Sequence, residues 1–333
     1  MTGGSGFIGA EVIKEALARG CTIKNLDLRP PKIAQHIAFW EEIDLRAHDQ
    51  VVSSVTSFRP DYIIHLASDI DVNLKSLKDY RTITEGTKNI IAAAQSLAAL
   101  RRFVHISTQY VVSPEILPKG EDDFAPYTLY GEAKAISERI VRSSTLKDWI
   151  ILRPTIIWGP GHPSFAAAIW RHIALGTYLH PLAEPPILKS YGYVTNCAAQ
   201  IITLMQSASS VLGRRRVFYL GDGVISYDIW VDAFAMPLTG RPARRVRKNV
   251  LYVLALCGDF LKCLGFRSPF DMGRYFRMTT SANIDLSATL AITGAPKVGF
   301  HNAVEETVRW LEINDKRFIR RFTSIRKVSE DLG

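Results

Sequence analysis

Residues 2–9, TGGSGFIG, run straight into AEVIKEALARG, and the two together read as a strand-to-helix turn. Gly3, Gly6 and Gly9 fall three residues apart. Such a turn needs one glycine for the tight bend, a second so that the backbone can approach a diphosphate, and a third so that the opening helix can lie close on a sheet. The free amides and positive dipole end of that helix then form an anion site. Phe7 and Ile8 fill the gaps between the glycines as the start of a helix packing face.

The triplet gains meaning from a second strand, about twenty residues on, that ends in a carboxylate able to hold an adenosine ribose. CTIKNLDLRP meets that requirement: Cys21 to Leu28 reads as a strand, Pro30 and Pro31 stop it, and Asp27 is placed to accept both ribose hydroxyls. Asp27 also repels a 2′-phosphate, so the expected cofactor is NAD rather than NADP, with Arg29 softening the preference.

Strands then alternate with helices. EEIDLRAHD reads as a strand end and a helix start, with Asp44 and Leu45 either touching the adenine edge or, for Asp44, capping the helix. Val51 to Phe58 reads as a short helix, and DYIIHLAS as a strand buried on both faces, with Leu66, Ala67 and Ser68 passing under the diphosphate. A helix over Leu77 to Leu97 and the strand RRFVHIST follow. The alternation specifies an α/β fold, a Rossmann-like doubly wound parallel sheet. The strand expected ahead of the glycine turn is not written in the residues, which begin at the turn itself; either another segment takes that slot or the chain has a late start.

The chemistry follows. Thr108 ends the strand RRFVHIST, and PYTLYGEAK places Tyr130 and Lys134 four residues apart, on one face if the segment is helical. An ammonium near a phenol lowers its pKa toward that of a useful general base. Further along, DWIILRPTIIWGPG carries Arg153, Pro154 and Thr155 at the carboxyl end of a strand, where open α/β sheets bind ligands. SYGYVTNCAAQIITLMQ reads as a loop around Tyr193 that opens a helix, and RRRVFYLGDG as a strand that returns to the sheet. The expected division is a cofactor domain over 1–158, rejoined at about 214–223, and a smaller, interleaved substrate domain over 159–333.

Composition sets bounds on the function. The 333 residues are 47% hydrophobic and 22% charged, which excludes disorder, collagen and coiled coil. The net charge of +9 is scattered, with local clusters at Arg214–Arg216 and from Arg241 to Lys248 and no nucleic-acid module around them, so no nucleic-acid partner is expected. Cys21, Cys197, Cys257 and Cys263 show no CxxC spacing, so they read as reduced thiols in a cytoplasmic protein with no metal site. No secretory signal is expected, because the first residues already belong to the turn. NVLYVLALCGDFLKCLGF is broken by Asp259 and Lys262; it reads as a buried helix, the other reading being an interfacial helix in peripheral contact with anionic lipid.

These motifs together resemble the extended short-chain dehydrogenases/reductases, the NAD-dependent epimerase/dehydratase group acting largely on nucleotide-diphosphate sugars. TGGSGFIG resembles its cofactor turn, HISTQYV its catalytic strand, Tyr130 with Lys134 its catalytic pair, and LRPTIIWGPG, VFYLGDG and AVEETVRWL its later landmarks. The resemblance implies that Tyr130 is the acid/base, that Lys134 also holds the nicotinamide ribose and that Thr108 assists at the substrate hydroxyl; Gln109, Arg153 and Tyr193 are the candidate substrate contacts. It also implies a homodimer paired through the helices holding EGTKNII and YGEAK. Two positions depart from it: Ile83 stands where relatives often have Asn, and Gln109 and Tyr110 follow Thr108 where sugar 4,6-dehydratases carry an acid and a base. The expected function is an NAD-dependent nucleotide-sugar epimerase or oxidoreductase. The alternatives are a hydroxysteroid-dehydrogenase-like or isoprenoid-linked alcohol oxidoreductase, and a non-catalytic dinucleotide-binding regulator.

Overall fold

The computed structural model describes residues 1–314 except 70, 72, 73, 117, 267 and 269; the end of the expected second domain, 315–333, lies outside the described residues. The chain divides into two compact units. The first holds Met1–Ile157, Val194–Asp222 and Ile284–Lys297; the second holds Trp158–Tyr193, Gly223–Asn283 and the segment beginning at Val298.

The first unit is built on a parallel sheet of β1 (Asn25–Asp27), β2 (Trp40–Glu42), β3 (Tyr62–His65), β4 (Arg102–Ile106), β5 (Trp149–Pro154) and β6 (Val217–Leu220). Its main helices are α1 (Phe7–Ala18), α2 (His48–Phe58), α3 (Arg81–Gln95), α4 (Leu129–Arg142) and α5 (Val194–Gln206). Side chains alternate across each strand, and both faces are covered, which is why the strands read as continuous apolar runs. Ile64, Val104, Ile106, Ile150, Leu152, Phe218 and Leu220 pack with Val12 and Ala16 of α1 and Cys197, Ile201 and Ile202 of α5. Ile63, Phe103, Ile151 and Val217 pack on the other face with Val51 of α2, Ile90 of α3 and Val141 of α4.

Met1 and Thr2 stand in the slot that the sequence leaves open. Thr2 N donates to Ile64 O (2.9 Å) and Leu66 N to Thr2 O (3.2 Å), while on the other side Leu26 N donates to Met1 O (2.9 Å) and Gly3 N to Leu26 O (3.1 Å). Parallel bridges from Thr2 to both Leu26 and His65 therefore join the pair β2-β1 to the run β3-β4-β5-β6.

The structure corrects several local expectations. The second strand is Asn25–Asp27, not Cys21 to Leu28, because Cys21 N is still bonded to Ala16 O at the end of α1 (3.0 Å). Asp44 is no helix cap: α2 starts after Ala47, and the Asp44 carboxylate is held by Arg46 at 2.6 Å. The loop expected around Tyr193 is the strand Leu188–Tyr193, and α5 begins directly after it. That helix, assigned to the second domain from sequence, lies in the first unit, because its buried face of Cys197, Ala198, Ile201 and Ile202 completes the layer on α1.

In the second unit Leu188–Tyr193 pairs antiparallel with Gly223–Ser226, and Leu179–Leu182 pairs parallel with Arg244–Arg247. Its core is aromatic, with Tyr191 stacked on Trp230 at 5.0 Å and Trp158 edge-on to Trp230 at 5.9 Å. The apolar segment expected as a buried helix is the helix Lys248–Cys263, but of its residues only Leu251, Ala255 and Gly258 are buried. No helix among the described residues is long and apolar enough to cross a membrane.

Candidate active site

The glycine turn closes on itself for reasons that a methyl group would abolish. Gly3 has φ +72° and would place a Cβ 2.5 Å from Ala67 N, and a Cβ on Gly9 would lie 2.2 Å from Gly3 O. The turn is tied down by Asn25, whose Oδ1 accepts from Gly4 N at 2.8 Å and whose Nδ2 donates to Ser5 Oγ at 3.2 Å. Gly6 precedes α1 without any side-chain cap, and the first turn of α1 carries no acidic residue, so the amide end that starts at Phe7 and Ile8 keeps its affinity for an anion.

Asp27 ends β1 beside this turn. Its Oδ2 accepts from Ser5 N (3.1 Å) and its Oδ1 from Arg29 N (3.0 Å), which fixes the carboxylate at the strand tip. A close-backbone cradle, an uncapped helix start and a fixed carboxylate match the diphosphate and ribose of a dinucleotide. The residues present therefore fit NAD. Leu66, Ala67 and Ser68 follow β3 and wall the cradle, with Ala67 N donating to Thr2 Oγ1 at 3.2 Å. The Leu45 side chain does not join them, being buried in the core against Gly86. Pro154 is buried at the carboxyl end of β5.

Tyr130 and Lys134 lie on α4, whose N-cap Thr128 accepts from Gly131 N at 3.0 Å. The hydroxyls of Ser68 and Thr108, past the ends of β3 and β4, lie near the Tyr130 phenol and favour its ionised form. Lys134 is buried, and its Nζ donates to Ile106 O at 2.8 Å, the carbonyl at the end of β4. The expected effect of the ammonium on the phenol is not what the site shows. Packing against Tyr80, Ile83 and Ala133 pushes Tyr130 up to about 12, with burial outweighing the opposing influence of the Ser68 and Thr108 hydroxyls. Burial likewise lowers Lys134 to about 8, against the pull of Glu138 and Asp69.

Two buried polar atoms beside Thr108 have no hydrogen-bond partner, Ser107 Oγ and Gln109 Oε1. Tyr110 stands edge-on to Tyr130 at 6.3 Å. Arg153 does not join these residues. Its guanidinium is buried, with Nε on Glu138 Oε1 (2.9 Å), Nη2 on Glu138 Oε2 (2.8 Å) and Glu121 O (2.8 Å), and Nη1 on Tyr219 Oη (3.1 Å). Tyr193 lies in the second unit, buried, with its hydroxyl donating to Glu306.

Sequence reading missed Asn25, the position of Ser68 beside the Tyr130 phenol, and the buried pair His65 and His105. His65 Nδ1 meets Thr2 Oγ1 at 2.7 Å and its Nε2 meets Thr87 Oγ1 at 3.0 Å; burial lowers it to about 3, so it is a neutral link between the first residues and α3. A histidine recurring at the same register of two strands predicted to be buried was the available signal, since His65 and His105 are direct neighbours in the β3-β4 ladder. Among the described residues no group of three or more His, Cys, Asp or Glu is placed to hold a metal ion.

Over 212 residues the chain is 29% identical to a 3-beta-hydroxysteroid dehydrogenase of Mycolicibacterium neoaurum, covering 59% of this chain and 57% of that protein. The chain thus spans little more than half the length of that relative. In fold it is similar to the UDP-glucose 4-epimerase of Thermotoga maritima solved with UDP-glucose (TM-score 0.69, 18% identity, 93% of this chain and 97% of that one). It is about as similar to the UDP-glucose 4-epimerase of Thermus thermophilus solved with NAD (TM-score 0.68, 22% identity, 94% and 98%). The sequence pattern of the NAD dependent epimerase/dehydratase family matches residues 1–219, so the chain belongs to that NAD-dependent family and has its Rossmann-type fold.

Proposed function

We propose that the protein oxidises and reduces a secondary alcohol of its substrate by hydride transfer, with Tyr130 as the proton acceptor and donor. The observation that carries this reading is the convergence of Ser68 and Thr108 on the Tyr130 phenol, one helical turn from a buried Lys134. When bound, NAD would supply the hydride acceptor. To act as acceptor the phenol must first release its own proton to solvent, against the burial that holds it at about 12. Tyr130 takes the hydroxyl proton as the carbon loses its hydride, and Thr108 holds the reacting oxygen. An ammonium has three donors; one of those on Lys134 is held by Ile106 O, leaving two for the nicotinamide ribose.

For the substrate, the reading is a nucleotide-diphosphate sugar, handled as an epimerase or as an oxidoreductase. Ser107 Oγ and Gln109 Oε1, buried and unpartnered beside Thr108, suit a substrate with several hydroxyls, because buried polar groups discriminate in favour of ligands that pair with them. A second reading, a 3-hydroxysteroid, is favoured by the similarity to the mycobacterial dehydrogenase. Asp44 and Leu45 at the adenine edge, pairing of two copies through α3 and α4, and a cytoplasmic setting suited to four free cysteines complete the proposal.

The test is incubation with NAD and, separately, UDP-glucose and a 3β-hydroxysteroid, following NADH by absorbance and the sugar by NMR. An inverted sugar centre or a keto sugar supports the first substrate reading, and NADH formed only with the steroid supports the second. Tight NAD binding with no turnover of any alcohol, over a broad panel, would show a binding protein instead.

A further inference from the structure

The helix Lys248–Cys263 is packed the wrong way round for a helix that serves only its own core. Its inward positions are Leu251, Ala255 and Gly258, two of the three being the smallest residues available. Gly258 is required there, since a Cβ would lie 1.8 Å from Phe270 O on the segment against which the helix rests. The large apolar residues point to solvent. Val250, Val253, Leu254, Leu261 and Leu264 recur at i, i+3, i+4, i+11 and i+14, one stripe along the helix, and are 42–57% exposed. Phe260 at the edge of the stripe is 65% exposed. Large residues scattered singly on a surface need no explanation, but a contiguous stripe marks a contact surface.

The charges around the stripe identify what it meets. The strand that leads into the helix, Arg244–Arg247, has its last residue in register with Leu182, itself 53% exposed, so the apolar surface continues beside a row of arginines. Arg245 is ion-paired with Asp232 at 2.6 Å. Among the described residues Arg244 and Arg247 have no carboxylate at ion-pair distance, and Lys248 follows them. The one carboxylate of the apolar segment, Asp259, accepts from Met272 N (3.3 Å). A stripe of large apolar side chains with unpaired cations at its end and no acid along it is complementary to an anionic lipid surface: acyl chains take the apolar residues and headgroups take the arginines. A second copy meeting this stripe would offer the arginines no acid from the same surface.

We infer that the helix Lys248–Cys263 lies in the interface of an anionic bilayer and holds the protein on the membrane surface. The inference rests on the second unit alone and stands apart from the proposed reaction.

Sedimentation of the full-length protein with phosphatidylcholine vesicles, with and without phosphatidylserine, at low and high salt, tests it. The expected result is binding to the phosphatidylserine vesicles that weakens with salt. Arg244→Gln and Arg247→Gln should each lower partitioning about five-fold, and Val253→Asp with Phe260→Asp should lower it at least about ten-fold. Because all four positions are exposed, NAD binding by the same variants should be unchanged, which shows that they are folded. Failure of the native protein to bind phosphatidylserine vesicles overturns the inference, whether the stripe then proves to be covered by a second copy, seen as a dimer that Phe260→Asp dissolves, or by residues 315–333. Binding that is unchanged in the Val253→Asp, Phe260→Asp protein overturns it as well.

Discussion

Arg153 lies across Glu138 in a two-pronged ion pair in which both side chains are almost wholly excluded from solvent, 1% and 0% exposed. Glu138 is on α4, two turns beyond Tyr130, and Arg153 is near the tip of β5, so the pair fastens the helix that carries Tyr130 and Lys134 to the sheet. Removing one partner strands a charge in the interior. Arg153→Met should therefore cost about 3–5 kcal/mol of unfolding free energy, and Arg153→Met with Glu138→Leu should recover most of it. Urea unfolding of the two variants checks this; equal losses would mean that the surrounding bonds to Glu121 and Tyr219, rather than the charge pair, hold the site.

Tyr130→Phe removes the proposed proton acceptor and leaves the cradle at Gly3, Gly9 and Asp27 untouched. Turnover should fall about 10²–10⁴-fold, with NAD affinity unchanged in a fluorescence titration. Retained activity would move the acid/base role elsewhere. Thr108→Val should give a smaller loss, since the Ser68 hydroxyl still lies near the phenol.

The lysine beside it reports its own burial. Lys134 is lowered from its ordinary 10.5 to about 8 by desolvation. Between those two values the unfolded chain still holds the proton that the folded chain has released, so stability rises with pH across that window. The Tm of the native protein should accordingly gain on that of Lys134→Met as pH is raised from 8 to 10.5, with a constant difference below 8. Melting curves of both proteins over this range test it, and a difference that is flat throughout would show a solvated ammonium.

What could be read from the residues, and what could not, follows from how local each constraint is. Gly3 is dictated by its positive φ, Gly9 by the approach of Gly3 O within the same turn, and Asp27 by its place at a strand tip, so TGGSGFIG and LDLRP were legible alone. The parallel sheet was legible because strands covered on both faces must be apolar throughout. Arg153 looked like a substrate ligand because its partner Glu138 comes from another element, and pairing across elements leaves no mark on either sequence. The same reason hid the nearness of Ser68 to Tyr130. In NVLYVLALCGDFLKCLGF the apolar content was plain, but which face turns inward was decided by the approach of Phe270 O to Gly258, a contact outside the helix itself. The phenol shift was misjudged in sign because spacing on a helix shows that Lys134 is near Tyr130 but not how dry both are.

Cofactor choice should rest on Asp27. Its carboxylate, held by Ser5 N and Arg29 N, meets a 2′-phosphate with like charge. Asp27→Asn keeps the shape and removes that charge. The preference for NAD over NADP should narrow by about ten-fold or more, most of it from tighter NADP. Titration of both nucleotides against both proteins measures the ratio, and tighter binding of NADP by the native protein would show that Arg29 prevails.

The groups after Thr108 bear on the reaction rather than the cofactor. Eliminating water from a sugar requires one group to take a proton from carbon and another to give one to the departing hydroxyl, and both must exchange protons near neutral pH. Gln109 is an amide with no proton to exchange, and Tyr110 is a phenol packed edge-on against Tyr127 at 5.4 Å and Tyr130 at 6.3 Å. In the proposed reaction Thr108, Tyr130 and Lys134 serve only to move a hydride and a proton at one carbon. With a nucleotide-diphosphate hexose the expected products are therefore an epimer or a keto sugar that keeps its 6-hydroxyl, seen in the NMR spectrum as a retained hydroxymethyl group. A methyl doublet, the mark of a 4-keto-6-deoxy sugar, would show that elimination proceeds here through groups other than Gln109 and Tyr110.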